Sequence, residues 1–194
     1  MATIFVLDDH FPSRERLKSA LSFLGDVHAE PTALDLIWKI EMDPELLGDL
    51  TRIAVTDLVV SAYWTKLRDG RRKPVVMKSI PLASPTEANP EGYPLMVLDY
   101  VKQFLEPLKS KYSCRLVVFT YFFKFIDDLL SKERIEKKEL LLSQAEQVRA
   151  ELHSIGIEDA QIIDKEAADK GTTKAQLERV VETVKSLLEF DSPS

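Results

Sequence analysis

Four short apolar runs, each ending abruptly on a polar residue, constrain this chain more than any other feature. Thr3-Ile4-Phe5-Val6-Leu7 stops at Asp8-Asp9-His10, and Ile53-Ala54-Val55-Thr56 stops at Asp57. Arg115 to Phe119 stops at Thr120, and Gln161-Ile162-Ile163-Asp164 stops at Lys165. Runs of this length without alternation leave no face for solvent, so they read as strands covered on both sides. Val27-His28-Ala29 is a shorter, weaker fifth candidate.

Helical patterns separate the runs. Leu17, Ala20, Leu21 and Leu24 recur at helical spacing with Arg14, Glu15, Arg16 and Lys18 opposite, and Gly25 is expected to stop that helix. Thr32 with Asp35 resembles a capping box ahead of an apolar stripe on Leu34, Ile37 and Trp38. Thr173 and Gln176 cap a last helix carrying Leu177, Val180, Val181, Val184 and Leu188 on one side. Strands alternating with helices imply right-handed crossovers and an α/β fold with a parallel sheet. Five strands suit the doubly wound, flavodoxin-like order 2-1-3-4-5.

Two stretches exceed that minimum. In the first, about 61 to 90, Tyr63 to Leu67 and Pro74 to Lys78 flank Asp69-Gly70, a β-hairpin signal, and a Pro-rich loop follows from Pro81 to Pro94. Six Lys or Arg and one Asp lie between Val60 and Ile80, in a chain whose formal net charge is -6. By default this is a solvated surface element. The second is a long helical region from about Phe122 to His153, an extended fourth helix inserting roughly 130 to 155. Leu141, Ala145, Val148 and Leu152 space there as a heptad stripe, which fits core packing first and a homodimer seam second; Gly156 is expected to end it.

Composition narrows the classes. The acidic balance argues against a chain-wide nucleic-acid surface. No apolar stretch is long enough to span a membrane, and Met1 to Leu7 is too short, and lacks the basic flank, for a signal peptide. Cys114 is the single cysteine, so no internal disulfide can form; it reads as a small buried residue, and the expectation is a cytoplasmic protein.

In an open doubly wound sheet, ligands bind beyond the carboxyl ends of the strands. The polar residues there are Asp8, Asp9, Asp57, Thr120 and Lys165. Three carboxylates meeting at one place repel, and a divalent cation relieves the repulsion; Mg²⁺ suits because it binds through one or two carboxylates and keeps waters and substrate oxygens. A carboxylate can attack phosphorus to form an aspartyl phosphate, while a lysine and a hydroxyl stabilise the phosphoryl oxygens. Taken singly, the Asp8-Asp9 pair reads first as a cap for the first helix, and His10 suits a loop better than a hard cation.

The joint set Asp8-Asp9, Asp57, Thr120 and Lys165, in this order after strands 1, 3, 4 and 5, resembles the active site of bacterial two-component response-regulator receiver domains (the CheY-like type). The resemblance implies a single receiver-like domain over 1–190, with 191–194 as a tail. It implies Asp57 as phosphoacceptor, Asp8 and Asp9 as metal ligands together with Asp57, and the carbonyl of Val59 as a further ligand. Thr120 would sense the phosphoryl group and Lys165 would pair with it. Gly92 before Leu95 resembles the start of the family's third helix, which puts the hairpin between strand 3 and helix 3.

The implied function is a Mg²⁺-dependent phosphoacceptor signalling module that takes a phosphoryl group from a phosphohistidine, and not a turnover enzyme. Its implied partners are a histidine kinase or phosphotransfer protein and a downstream protein, with neither nucleic acid nor membrane. Since no output domain follows the last helix, signalling is expected to run through protein contact.

The chain departs from the family pattern at four places. Val60-Ser61 stands for the usual Met-Pro, Tyr121 for a small residue, Ile162 for the switch aromatic, and Glu166 for a proline. These departures motivate an alternative, a degenerate receiver serving as a phosphorylation-independent binding or scaffold module. They also redirect the expected switch through Thr120, Tyr121 and the helix that follows, away from strand 5. A phosphatase of the haloacid dehalogenase type fits poorly, because it needs Asp-x-Asp, and the positions two beyond Asp8 and Asp9 are His10 and Phe11.

Overall fold

The computed structural model describes residues 2–48, 51–58, 62–66, 72–76, 97–131, 138–166 and 172–189. Five strands form one parallel sheet: β1 Ala2–Leu7, β2 Gly25–Glu30, β3 Arg52–Thr56, β6 Cys114–Thr120 and β7 Ile162–Asp164. Their order is β2-β1-β3-β6-β7, which is 2-1-3-4-5 counted within this sheet. The chain runs outward from β1 to β2, then crosses back over β1 to β3. That reversal places the topological switch beside the carboxyl ends of β1 and β3.

The unbroken apolar runs are explained by two cores. Phe5, Leu7, Ala54, Leu116 and Val118 enter one, and Ile4, Val6, Ile53, Val55, Val117 and Phe119 enter the other. On the first face pack α2 (Ala33–Met42), α3 (97–110), α4 (Phe122–Leu130) and α5 (Lys138–Ser154). On the second pack α1 (Phe11–Leu21) and α6 (Lys174–Glu189), through Leu17, Leu21, Val180 and Val184. Within α3, Val101–Leu105 forms a π turn followed by Glu106–Ser110. Among the described residues no helix is long and apolar enough to cross a membrane.

Local chemistry sets several boundaries. The Thr32 hydroxyl accepts the Asp35 N–H at 3.2 Å, starting α2. Thr173 and Gln176 bond reciprocally at the start of α6, as their spacing suggested. Gly156, at φ +73°, closes α5: its N–H donates to His153 O, and Ile157 N–H donates to Leu152 O, the paired bonds of a Schellman motif.

The hairpin is present, with β4 (Ala62–Lys66) and β5 (Arg72–Val76) pairing antiparallel in a separate two-stranded sheet. Its expected Asp69-Gly70 turn, the Pro-rich stretch and Gly92 lie outside the described residues.

Three expectations need correction. Gly25 does not stop α1, which ends at Leu21; it opens β2, where a Cβ would collide with the carbonyl of Ala2 on the neighbouring strand. Glycine both ends helices and permits close backbone approach, and here the second use prevails. The buried stripe of α2 is Ala33, Leu36 and Ile40, with Ile37 at its edge and Trp38 48 % exposed. Among the described residues the region after β6 forms two helices, α4 and α5, where one extended helix was expected. Leu141, Val148 and Leu152 are fully buried in the first core, so the heptad stripe is used within the molecule.

Candidate metal and phosphoryl site

One further ladder hydrogen bond anchors each of Asp8, Asp57 and Lys165 beyond its strand. Asp8 N–H donates to Glu30 O at 3.2 Å, Asp57 N–H to Leu7 O at 2.8 Å, and Lys165 N–H to Thr120 O at 2.7 Å. The parallel register therefore carries these side chains to the same edge. The carboxylate oxygens of Asp8, Asp9 and Asp57 lie within 4.8 Å of one another. The Lys165 ammonium donates to Asp8 Oδ2 at 2.8 Å and to Asp57 Oδ2 at 2.5 Å, and it sits 5.0 Å from the centroid of the Phe119 ring.

Asp8, Asp57, Thr120 and Lys165 are all buried. Burial by itself works against the Lys165 ammonium, but the charges and hydrogen bonds of Asp57 and Asp8 outweigh it and hold the group above the ordinary lysine range. Three carboxylates crowd one ammonium, and two of them, Asp8 and Asp57, are buried. A divalent cation would balance them. Oxygens bound to Mg²⁺ at about 2.1 Å lie at most about 4.2 Å apart, so the three carboxylates need only a small adjustment to become ligands. The donor set, oxygen throughout, fits that ion.

Asp8 is also held from α1. Its Oδ2 accepts the Ser13 hydroxyl at 2.7 Å, its Oδ1 accepts the His10 N–H at 2.9 Å, and its carbonyl accepts Arg14 at 2.6 Å. Ser13 lies 3.0 Å from the Thr172 hydroxyl, and Arg16 donates to Thr172 O. His10 itself is the N-cap of α1, and its side chain makes no cap hydrogen bond. Ser13, Arg14 and Thr172 were not singled out from sequence. The one available signal was Ser13, a hydroxyl in the first turn of the helix that follows the acidic pair.

Thr120 joins the cluster through its carbonyl, while its Oγ1 accepts the Phe122 N–H at 3.2 Å. Tyr121, which stands where the family has a small residue, donates its hydroxyl to Asp128 on α4 at 2.6 Å. Ile162 is buried in the first core opposite Val118. Glu166 is exposed, and Val59 and Val60-Ser61 lie outside the described residues. Cys114 is buried at the amino end of β6, where burial pushes its thiol up to about 12, the character of a packed residue and not of a nucleophile.

No family model matches the chain, and searches of characterised proteins and of solved structures return no match.

Proposed function

We propose that the chain is a phosphoacceptor signalling module of the two-component or phosphorelay type, with Asp57 as the acceptor. One observation carries the reading: Lys165 and the three carboxylates converge at the switch point of a 2-1-3-4-5 sheet. An Asp57 oxygen attacks phosphorus, and the P–N bond of a phosphohistidine breaks. Its electron pair goes to the imidazole nitrogen. Mg²⁺, held by Asp8, Asp9 and Asp57, would neutralise the phosphoryl oxygens. Lys165, already on Asp57, is placed to follow them, and Thr120 keeps a hydroxyl proton to donate. The donor is a histidine kinase or phosphotransfer protein, and output runs through contact with a downstream protein.

Incubation with acetyl phosphate and Mg²⁺ should add one phosphoryl mass to the intact protein and none to Asp57→Asn. An unchanged mass favours the second reading, a phosphorylation-independent scaffold. The burial of Ile162 where the family places its switch aromatic supports that alternative. Continuous release of phosphate without a trapped adduct would indicate a phosphatase instead.

A further inference from the structure

Thr56 is the last residue of β3, directly before Asp57, and its side chain enters the face covered by α2 and α3. It is fully buried. Its hydroxyl donates to the Asp57 carbonyl oxygen at 3.0 Å and lies 3.3 Å from the Tyr100 hydroxyl. A hydroxyl has one proton to give. Thr56 has given its own to Asp57, so the Tyr100 O–H must be the donor to Thr56. The two bonds thus share one direction, from the Tyr100 hydroxyl through the Thr56 hydroxyl to the carbonyl of Asp57. Such chains strengthen cooperatively in a dry interior.

Tyr100 also stands directly before the π turn at Val101–Leu105, and its ring packs 5.5 Å from that of Phe104 within the turn. A π turn inside an α-helix is a costly irregularity that often accompanies a functional position. Burial first, then the charges of Asp57 and Asp9, raise the phenol far above its ordinary range, so it stays a neutral donor.

We propose that Tyr100 is a positioning residue for Asp57, fixing the acceptor's peptide group through Thr56 and passing changes at the carboxylate to the π turn of α3. The proposal rests on the reading of Asp57 as acceptor. It supplies the response route that Ile162, which has no ring and no polar tip, cannot.

The test labels the protein with 3-fluorotyrosine and follows the Tyr100 fluorine resonance, identified among the five tyrosines by its loss in Tyr100→Phe. Addition of Mg²⁺ and beryllofluoride should shift it in the unmodified chain and in Thr56→Ser, which keeps the hydroxyl. It should stay still in Thr56→Val, which keeps the size and loses the relay. A merely structural Tyr100 would not discriminate serine from valine in this way. Equal shifts in Thr56→Val and Thr56→Ser overturn the relay while leaving Asp57 an acceptor. Failure of both acetyl phosphate and beryllofluoride to leave an adduct overturns the acceptor reading instead. In that case Mg²⁺ alone is the probe, and a resonance that Mg²⁺ does not move overturns the positioning role as well.

Discussion

The two ends of the central sheet bury polar groups in opposite ways. At the amino ends, Arg52 places its guanidinium on three backbone carbonyls, those of Leu47, Gly48 and Tyr112, at 2.8, 2.8 and 3.2 Å. Charge there meets fixed neutral acceptors and ties two loops, at Leu47-Gly48 and at Tyr112, to the start of β3. At the carboxyl ends, charge meets charge: Asp8, Asp9 and Asp57 crowd one ammonium, Lys165. In the first arrangement three guanidinium donors meet acceptors within the chain. The second crowds like charges together, an excess of carboxylates over the ammonium they share. A fold under selection for stability alone gains little from that excess, because separating a buried ion pair from its solvent already costs several kcal/mol per ion. The contrast between an end of neutral acceptors and a charge-loaded end marks the second as the place where an outside cation and an anionic group belong.

The largest effect should come from Asp57→Asn. It removes the attacking oxygen, so the acetyl phosphate adduct should vanish from the intact mass, and the rise in melting temperature on adding Mg²⁺ should fall by more than half. An adduct that persists in this variant would move the acceptor to another residue and dissolve the comparison. Next is Lys165→Met. Removing the ammonium leaves buried carboxylates facing one another, which should destabilise the metal-free protein by about 3–5 kcal/mol. Added Mg²⁺ should recover much of that loss, and it should bind more tightly than to the unmodified chain, since one positive competitor is gone. Denaturant unfolding with and without Mg²⁺ reads both quantities.

Arg52→Met is the matching perturbation at the other end. It strands carbonyls that were paired, at a cost of about 1–3 kcal/mol. Mg²⁺ should return none of it, and the yield of phosphoryl adduct should be unchanged. A Mg²⁺-dependent recovery in this variant would mean that the two ends are not independent.

The charge-loaded end was the more legible of the two in sequence. Asp8, Asp57, Thr120 and Lys165 each terminate an apolar run, and parallel strands in one sheet bring such termini to one edge, so a one-dimensional pattern encodes a three-dimensional cluster. The supporting hydroxyls had no such pattern. Ser13 and Thr172 meet across 159 positions, and Thr56 and Tyr100 across 44, pairings that depend on how α1, α3 and the α6 entry pack. Gly25 was misread because its constraint lies on a neighbouring strand. The helical region after β6 was read as one element because apolar spacing continues across it, and spacing alone does not register the C-cap at Ser131. The α2 stripe was rotated by one residue because Trp38 is apolar in composition yet sits at the surface.

The smallest effect, and the one most specific to the amino end, concerns Cys114. In the unfolded chain a thiol ionises near pH 8.5. In the folded protein burial pushes Cys114 up to about 12, with Arg52 acting weakly in the opposite direction. A group whose folded value is raised stabilises fully below the unfolded value, and its contribution fades as pH climbs towards the folded one. Between about pH 8.5 and pH 10 the unfolded state alone loses the proton, so stability should fall with a limiting slope of about 1.4 kcal/mol per pH unit. Cys114→Ala should lie lower at neutral pH, for want of the packed sulfur, but should lack this slope below about pH 9.5 and keep only the decline near pH 10 that the raised Tyr100 phenol imposes on both chains. Lys165 does not disturb the window, because its raised value keeps it charged well above pH 10. Urea midpoints measured from pH 7.5 to 10 with both chains decide the matter. Parallel curves would show that Cys114 keeps no proton beyond the ordinary thiol range and is not shielded from water in the folded protein.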